Sequence, residues 1–506
     1  MYPPSKMNEP KPPQEPIYDL PLRDITTYTH SPTNTTTTTT TTHHTAARTA
    51  LLDALSCAIE TASKSPSARA LLGPIIPGTT VPHGFPVPGT SHTIDPVKGT
   101  FDLGVLIRYL DHNDASWGME WGHPSDNIAA LLATSDYLSR HPRYVNIKAN
   151  PTTISTLLSA ITKSYEIQTH YQALNAFHAH NLDHVILVEL ASAAVCSWMM
   201  GHSASKTQSI LSHVWMDAGP SRLYRTHPCT VPRKGWAAAD AAARAVALVF
   251  RADREGSEEA MRGVGSVLRH KGGGFRDGRF GGREFEFVGK LGEMEGRGVE
   301  GVMYKIMPVE GHGCAAVEAV LGQMEKEPGV VWENVEEVLV RVPWAAKYII
   351  SRPGREELKC AAERDHCLEW VVAVAMVKGR AIEVEDYEDE GGWVGDERVE
   401  ELRGRIVVKE DEELTRDYLD VGKRSIAAGV VVRLKDGRVL EEVLVEFPVG
   451  HVRNPRTGEE VRRKFVRNMR LMFTEEEIQR ILEVVGRDDA RVCELVDLLA
   501  RSETHL

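Results

Sequence analysis

The segment EWGHPSDN, from Glu120 to Asn127, places Glu120, His123 and Asp126 within seven residues. An imidazole and a carboxyl group can transfer a proton, and the first turn of a following helix can hold an anion. Apolar residues at helical spacing precede and follow the segment, so we predict that it joins two helices that each bury one face. Such a joint is either a capped loop or a functional site, and this segment alone leaves both interpretations open.

Five further clusters combine histidine, lysine, arginine and aspartate beside apolar stretches. They are RYLDHND (Arg108–Asp114), LDHVILVE (Leu182–Glu189), PRKGWAAAD (Pro232–Asp240), YKIMPVEGH (Tyr304–His312) and ERDHC (Glu363–Cys367). Burial beside apolar helices shifts the pKa values of such groups and makes them useful for acid–base catalysis. For any one cluster, a set of caps and salt bridges explains the residues equally well.

The sequence lacks the common signatures of nucleotide, zinc-protease and serine-hydrolase sites, namely GxxxxGK[ST], GxGxxG between strand and helix, HExxH and GxSxG. The segment HAHNLDH offers His178, His180 and His184 as a zinc set, but no carboxylate-plus-histidine pattern completes it. We therefore predict that the protein uses neither a metal nor another cofactor.

Composition narrows the class of protein. A net charge of −12 argues against a nucleic-acid binder, although a few cations gathered in one cleft can still bind an anionic small molecule. Seven scattered cysteines without a CxxC pair favour a reducing compartment. The longest apolar run, VILVELASAAVCSWMM, is short for a membrane span and contains Glu189, so we predict a buried helix.

The pattern of apolar residues predicts a mainly α fold with an inserted α+β domain. Residues 46–294 have helical periodicity, and residues 454–506 return to it. Between them, in residues 295–453, alternating and β-branched stretches predict strands in VVWENVEEVLVRVP, RIVVKEDEEL, GVVVRLKDGRV and LEEVLVEFP.

Residues 1–45 are rich in proline and threonine, and this composition predicts a disordered tail. The segment contains acidic residues, and Arg23 is the only arginine before Arg48, which is not typical of a mitochondrial presequence. We therefore expect a cytoplasmic protein. The final residues Thr504-His505-Leu506 only loosely resemble a peroxisomal address.

The polar clusters, taken in order over residues 50–485, resemble the MmgE/PrpD family and, within it, the 2-methylcitrate dehydratase branch. The matching blocks are RYLDHNDASWGMEWGHPSDN, LDHVILVELASAAV, PRKGWAAADAAARAV, YKIMPVEGHGCAAVEA, ERDHCLEWVVAVAM and DVGKRSIAAGVVV. The resemblance implies a large helical domain formed from both chain ends and closed by a smaller α+β lid, a homodimer, and cofactor-free dehydration of a citrate-like acid. Two alternatives stay open: decarboxylation of a cis-aconitate-type acid, and a family member that binds tricarboxylates without catalysis.

The resemblance also assigns the site residues. We expect Asp111, His123, His184, Lys305 and His312 to be catalytic, and Lys234, Arg108 and Ser125 to bind the substrate. These types suit the chemistry, because cations can hold carboxylates while a group of tuned pKa takes a proton from carbon.

Three departures from the family pattern bear on the substrate. Ala115 stands where the family usually has threonine, Glu189 replaces a basic residue, and the block KIMPVEGH is one residue shorter than usual. These changes favour an alkylcitrate with a longer chain over strict use of 2-methylcitrate, while the chain length stays open.

Overall fold

The computed structural model describes residues 18–31, 37–141, 153–217, 219–226, 230–283, 291, 298–351, 357–420 and 422–501. Over these residues the protein is mainly α-helical and contains three small β-sheets. None of the described helices has both the length and the apolar character that a membrane crossing requires.

One large apolar core is built by helices from both ends of the chain. Its helices from the N-terminal side are Leu20–His30, Thr37–Lys64, Pro96–Arg108, Ile128–Arg140, Ile154–Leu174, Val185–Met199, Ala204–Met216 and Ala237–Ala252. Those from the C-terminal side are Thr457–Met469, Glu475–Gly486 and Val492–Leu499. The predicted buried helix within VILVELASAAVCSWMM is thus confirmed, and its residues from Val185 to Ser197 are all buried. Helix Glu475–Gly486 begins with a capping box, in which Thr474 and Glu477 each accept a hydrogen bond from the other residue's backbone N–H.

A second core lies in the part of the chain between these groups. Its helices are Cys314–Lys326, Trp344–Ile350, Ala361–Arg364, Leu368–Lys378, Glu397–Arg403 and Glu412–Leu419. They accompany a four-stranded sheet formed by Val335–Val342, Ile406–Glu410, Ala428–Leu434 and Val443–Val445. Val335–Val342 pairs in parallel with Ile406–Glu410 and antiparallel with Ala428–Leu434. All four strands fall in the segments in which alternation predicted them.

The two cores share a border close to residue 295, where the predicted α+β domain begins. Val299, Val302 and Tyr304 belong to the first core, whereas Trp117 belongs to the second. Trp117 lies in a short ribbon, Ser116–Trp117 paired with Trp121–Gly122, that leads into the polar segment around His123. A second ribbon pairs Phe85–Pro86 with Thr93–Ile94.

The predicted disordered tail over residues 1–45 is wrong for its described part. Helix Leu20–His30 buries Leu22 and Ile25 completely in the first core, and the threonine run continues into helix Thr37–Lys64. Leu22, Ile25, Thr26 and Thr29 lie on one helical face, and each threonine hydroxyl donates to the carbonyl four residues earlier. The average composition of residues 1–45 did not reveal this short buried face. Residues 1–17 and 32–36 lie outside the described part.

An Ile25→Ala substitution is therefore expected to lower the free energy of unfolding by about 2–5 kcal/mol, the usual range for a large-to-small change in a core. Denaturant unfolding measures the change. Thr27→Ala, on the exposed face of the same helix, is the matched control and should have little effect. Equal stability of Ile25→Ala and the wild type would restore the interpretation of a tail without packing.

Candidate active site

Asp111 is the centre of a buried cluster of cations. It follows helix Pro96–Arg108 and has a positive φ of 51°, a left-handed conformation that aspartate tolerates better than most residues. Its Oδ1 accepts hydrogen bonds from Arg108 at 2.7 Å and from Lys305 Nζ at 2.6 Å. Lys305 also donates to the Asp111 carbonyl at 2.8 Å, and Lys234 Nζ lies 3.7 Å from Oδ2.

Opposite charges determine the protonation of this cluster. Burial by itself would raise the pKa of Asp111, but the charges of Arg108, Lys305 and Lys234 outweigh burial and hold it well below its ordinary range. Asp111 is therefore a carboxylate that binds three cations in the protein interior. A molecule with several carboxylates could bind the same cations.

Lys234 connects this cluster to the segment ERDHC. Its ammonium group donates to both carboxylate oxygens of Asp365 at 2.6 Å and lies 3.0 Å from His366 Nδ1. Within the described ranges, Asp111, Asp365 and His366 are the only three residues whose ligand atoms come close enough for a metal ion, all within 4.8 Å. Because the Lys234 ammonium lies among these same atoms, the arrangement is that of a hydrogen-bonded cation and does not fit a metal centre.

His123 lies directly before the 3₁₀ turn Pro124–Asn127, but its ring faces a cation. Arg108 donates to Nε2 at 3.0 Å, so Nδ1 carries the proton and donates to the Asp114 carbonyl at 2.6 Å. Burial and the neighbouring charge of Arg108 hold the pKa of His123 well below its usual value. In this structure the ring is neutral and positions Arg108, and the catalytic role of His123 stays a prediction.

The helix start beside His123 is occupied by a carboxylate of the protein. Ser125 donates to Asp114 Oδ1 through its backbone N–H at 3.1 Å and through its hydroxyl at 2.6 Å. Asp114 thus takes the position in which an external anion was expected. Ser125 positions Asp114 in this arrangement, and its contact with substrate stays a prediction.

His184 is the imidazole of the site that is least engaged by the protein. Its ring centre is 6.0 Å from that of His123, and neither ring nitrogen has a hydrogen-bond partner among the described residues. Asp183 Oδ1 is 3.6 Å from Nδ1, which exceeds a hydrogen-bond distance, and Asp183 accepts instead from Arg225 at 2.6 Å. Burial lowers the pKa of His184 to about 3, so the ring is neutral and has a nitrogen able to accept a proton.

His312 belongs to a different group at the border of the two cores. Its Nδ1 lies 3.1 Å from Glu310 Oε2, its Nε2 lies 3.2 Å from the Tyr418 hydroxyl, and its ring is 4.3 Å from that of Trp121. Burial would raise the pKa of Glu310, but the charge of His312 lowers it to about 2, so Glu310 is ionised. The hydrogen bonds of His312 thus go to Glu310 and Tyr418.

Of the predicted residues, the structure joins Arg108, Asp111, His123 and Lys305 by hydrogen bonds, adds Lys234 by an ion pair with Asp111, and places His184 beside this cluster. Sequence reasoning missed the contribution of Asp365 and His366, although ERDHC was among the polar clusters. It also assigned no role to Asp126, whose buried Oδ2 has no partner among the described residues. Burial raises the pKa of Asp126 to about 7, so this carboxyl can give or take a proton near neutral pH.

The loop that carries Asp111 is supported from the C-terminal end of the chain. Lys464 Nζ, fully buried, donates to Asp53 Oδ1 at 2.8 Å and to the carbonyl of His112 at 2.6 Å. His112 Nδ1 lies 2.6 Å from Glu60 Oε2 in helix Thr37–Lys64. These contacts fix the residue next to Asp111.

Ala115 and Glu189, two of the three departures from the family pattern, lie in the protein interior. Ala115 is fully buried, and its backbone pairs with that of Met303 at 2.7 and 2.8 Å. Glu189 lies on the buried helix Val185–Met199, 3.2 Å from Arg244, and burial raises its pKa to about 7. These contacts tie Ala115 to residues close to Lys305 and give Glu189 a partner of opposite charge.

Two family models and several curated proteins match most of the chain. The family model for the MmgE/PrpD N-terminal domain matches residues 23–288, and that for the MmgE/PrpD C-terminal domain matches residues 307–489. Similar curated proteins include an alkylcitrate dehydratase phiI from Fungal sp., 46% identical over 90% of this chain and 89% of that protein. A 2-methylcitrate dehydratase of Salmonella typhimurium is 40% identical over 87% of this chain and 89% of its own. The mitochondrial 2-methylcitrate dehydratase of Yarrowia lipolytica is 35% identical over 96% and 91%.

Proposed function

Because this chain belongs to the MmgE/PrpD family, we propose that it is a hydro-lyase that dehydrates 2-methylcitrate or a longer alkylcitrate to the corresponding alkyl-cis-aconitate. Proteins that are similar to this chain over most of its length are named alkylcitrate dehydratase and 2-methylcitrate dehydratase. The observation that carries the proposal is the buried cluster of Arg108, Lys234 and Lys305 next to His184, whose ring nitrogens have no hydrogen-bond partner in the described part of the chain.

The cations bind and polarise the substrate in this proposal. An alkylcitrate carries three carboxylates, and Arg108, Lys234 and Lys305 can hold them in place of part of their contacts with Asp111 and Asp365. A cation beside the carboxylate next to the reacting C–H stabilises the charge that develops when the proton leaves. Since the cluster is buried, these interactions are stronger than they would be in water.

Proton transfer completes the reaction. We assign His184 as the base that takes the proton from the carbon bearing the alkyl group, because none of the described residues forms a hydrogen bond with its ring nitrogens. The negative charges of bound substrate raise the basicity of a ring whose pKa is otherwise low. The electron pair of the C–H bond forms the double bond, and hydroxide leaves the neighbouring carbon. It takes up a proton from an acidic group, for which the Asp126 carboxyl is suited, and departs as water.

The second core is proposed to act as a lid, with the domains at 46–294 and 454–506 on one side and 295–453 on the other. Support comes from pairs that cross between them: Lys305 binds Asp111, Lys234 binds Asp365, and the His312 ring contacts Trp121. Helix Leu20–His30 joins the first of these domains. His312 is assigned to the lid side of the site, where Glu310 and Tyr418 orient it. The homodimer and the cytoplasmic location stay predictions.

The test is an assay of the purified protein with 2-methylcitrate and longer alkylcitrates, with and without EDTA. We expect ultraviolet absorbance from an unsaturated product, release of water without carbon dioxide, and equal rates with the chelator. Release of carbon dioxide from a cis-aconitate-type acid would identify the decarboxylase alternative. Tight binding of tricarboxylates without turnover would identify a binding protein, and loss of activity in EDTA that zinc or iron restores would contradict the cofactor-free mechanism.

A further inference from the structure

A pocket of about 460 Å³ lies in the part of the chain that leads up to Lys234. It is lined by Pro220, Ser221, Leu223, Tyr224, Val231 and Arg233. Most of these side chains are apolar, and Leu223 and Val231 are 65% and 44% exposed, so apolar surface is accessible to a ligand here.

The walls of this pocket are attached directly to two residues of the proposed site. The backbone of Asp183, which precedes His184, donates to the Pro220 carbonyl at 2.9 Å, and Arg225 next to Tyr224 binds the Asp183 carboxylate. On the other side, the Lys234 N–H donates to the Val231 carbonyl at 3.1 Å within a single 3₁₀ turn. The pocket therefore lies between the segments that present His184 and Lys234.

The one charged side chain of the lining is already engaged. The Arg233 guanidinium lies 4.2 Å from the Trp236 ring centre and 5.5 Å from that of Tyr224, and it pairs with Asp240 at 3.3 Å. Its charge is thus balanced by a carboxylate and by aromatic faces. An anion gains little here, whereas a hydrocarbon chain gains the full benefit of leaving water.

We propose that this pocket is the subsite for the alkyl chain of an alkylcitrate substrate. The proposal rests on the proposed function and extends it by naming the residues that select chain length. The single methyl group of 2-methylcitrate would leave most of a pocket of about 460 Å³ unfilled. Each further methylene that enters should improve binding about fourfold, the usual effect of burying one such group.

Val231→Trp tests the subsite, because an indole at this position fills the pocket. We expect kcat/KM for an alkylcitrate with a hexyl chain, divided by that for 2-methylcitrate, to fall by about tenfold or more relative to the wild type. Val331→Trp is the matched control: Val331 is also half-exposed, at 46%, but lies at the second core, and its variant should keep the wild-type ratio.

Leu223→Ala is a second variant, which removes part of the apolar wall without adding bulk. It should also lower kcat/KM for the hexyl substrate relative to that for 2-methylcitrate. An unchanged ratio in both Val231→Trp and Leu223→Ala would overturn the subsite, as would a wild-type enzyme that prefers the methyl substrate. Failure of the proposed function is a separate outcome, since the wild type would then dehydrate neither substrate.

Discussion

A His184→Gln variant is expected to lose about two to four orders of magnitude in kcat/KM while its melting temperature stays close to that of the wild type. The amide is similar in reach but cannot accept a proton near neutral pH. Both nitrogens of His184 lack hydrogen-bond partners among the described residues, so the substitution breaks no hydrogen bond of the folded protein. Steady-state kinetics together with thermal unfolding measure both quantities.

His180→Gln is the matched control for this variant. It lies in the same HAHNLDH segment, its ring stacks on Phe280 at 4.2 Å, and it should keep near wild-type activity. Equal losses in both variants would point to damage of the segment or to a zinc set that uses all its histidines. Full activity of His184→Gln would remove this residue from the mechanism.

Asp111→Asn is expected to be the most destabilising of the site variants. It leaves Arg108, Lys305 and Lys234 buried with one negative charge fewer, and loss of one member of a buried ion pair costs about 3–5 kcal/mol. Asparagine tolerates the left-handed backbone of this position, so strain contributes little. Because the pKa of Asp111 is depressed, its contribution is present above the unfolded-state pKa of about 4 and is lost as the pH falls further, and denaturant unfolding at neutral pH detects it in full.

The double variant Asp111→Asn/Lys305→Met separates charge balance from other effects. Removing a cation together with the carboxylate should recover part of the lost free energy of unfolding, a positive coupling between contacting residues. Activity should stay low, since the substrate loses a carboxylate partner. If the double variant is less stable than Asp111→Asn by the full cost of a second core mutation, the cation cluster is not what makes Asp111 necessary.

Local sequence patterns predicted the elements well, because helices and strands depend on residues close in the chain. The alternation Val338, Val340, Val342 became a strand, and the apolar face of DLGVLIR became helix Pro96–Arg108. The prediction of a disordered tail was wrong because threonine and proline dominate the average composition, whereas packing of helix Leu20–His30 depends on a few buried residues, among them Leu22 and Ile25.

The site itself could not be derived from spacing. Lys305 binds Asp111 across 194 residues, and Lys234 binds Asp365 across 131. Only family resemblance placed such distant residues together, and it did not identify their hydrogen-bond partners. Capping rules correctly indicated an anion at the helix start after His123, but Asp114 supplies it, and no local rule distinguishes an internal carboxylate from a substrate.

The link between Asp53 and Lys464 has a consequence for the synthesis of this protein. The two residues are 411 positions apart, so the ribosome completes helix Thr37–Lys64 long before its partner helix Thr457–Met469 exists. At about 5–20 residues per second, roughly 20–80 s separate them. During this interval Asp53 and the carbonyl of His112 lack their ammonium partner, and the nascent chain exposes the apolar surface that the last helices later cover. We therefore expect folding of the first core to finish only after helices Thr457–Met469, Glu475–Gly486 and Val492–Leu499 have been synthesised, with a dependence on chaperones that a shorter-range fold would not have.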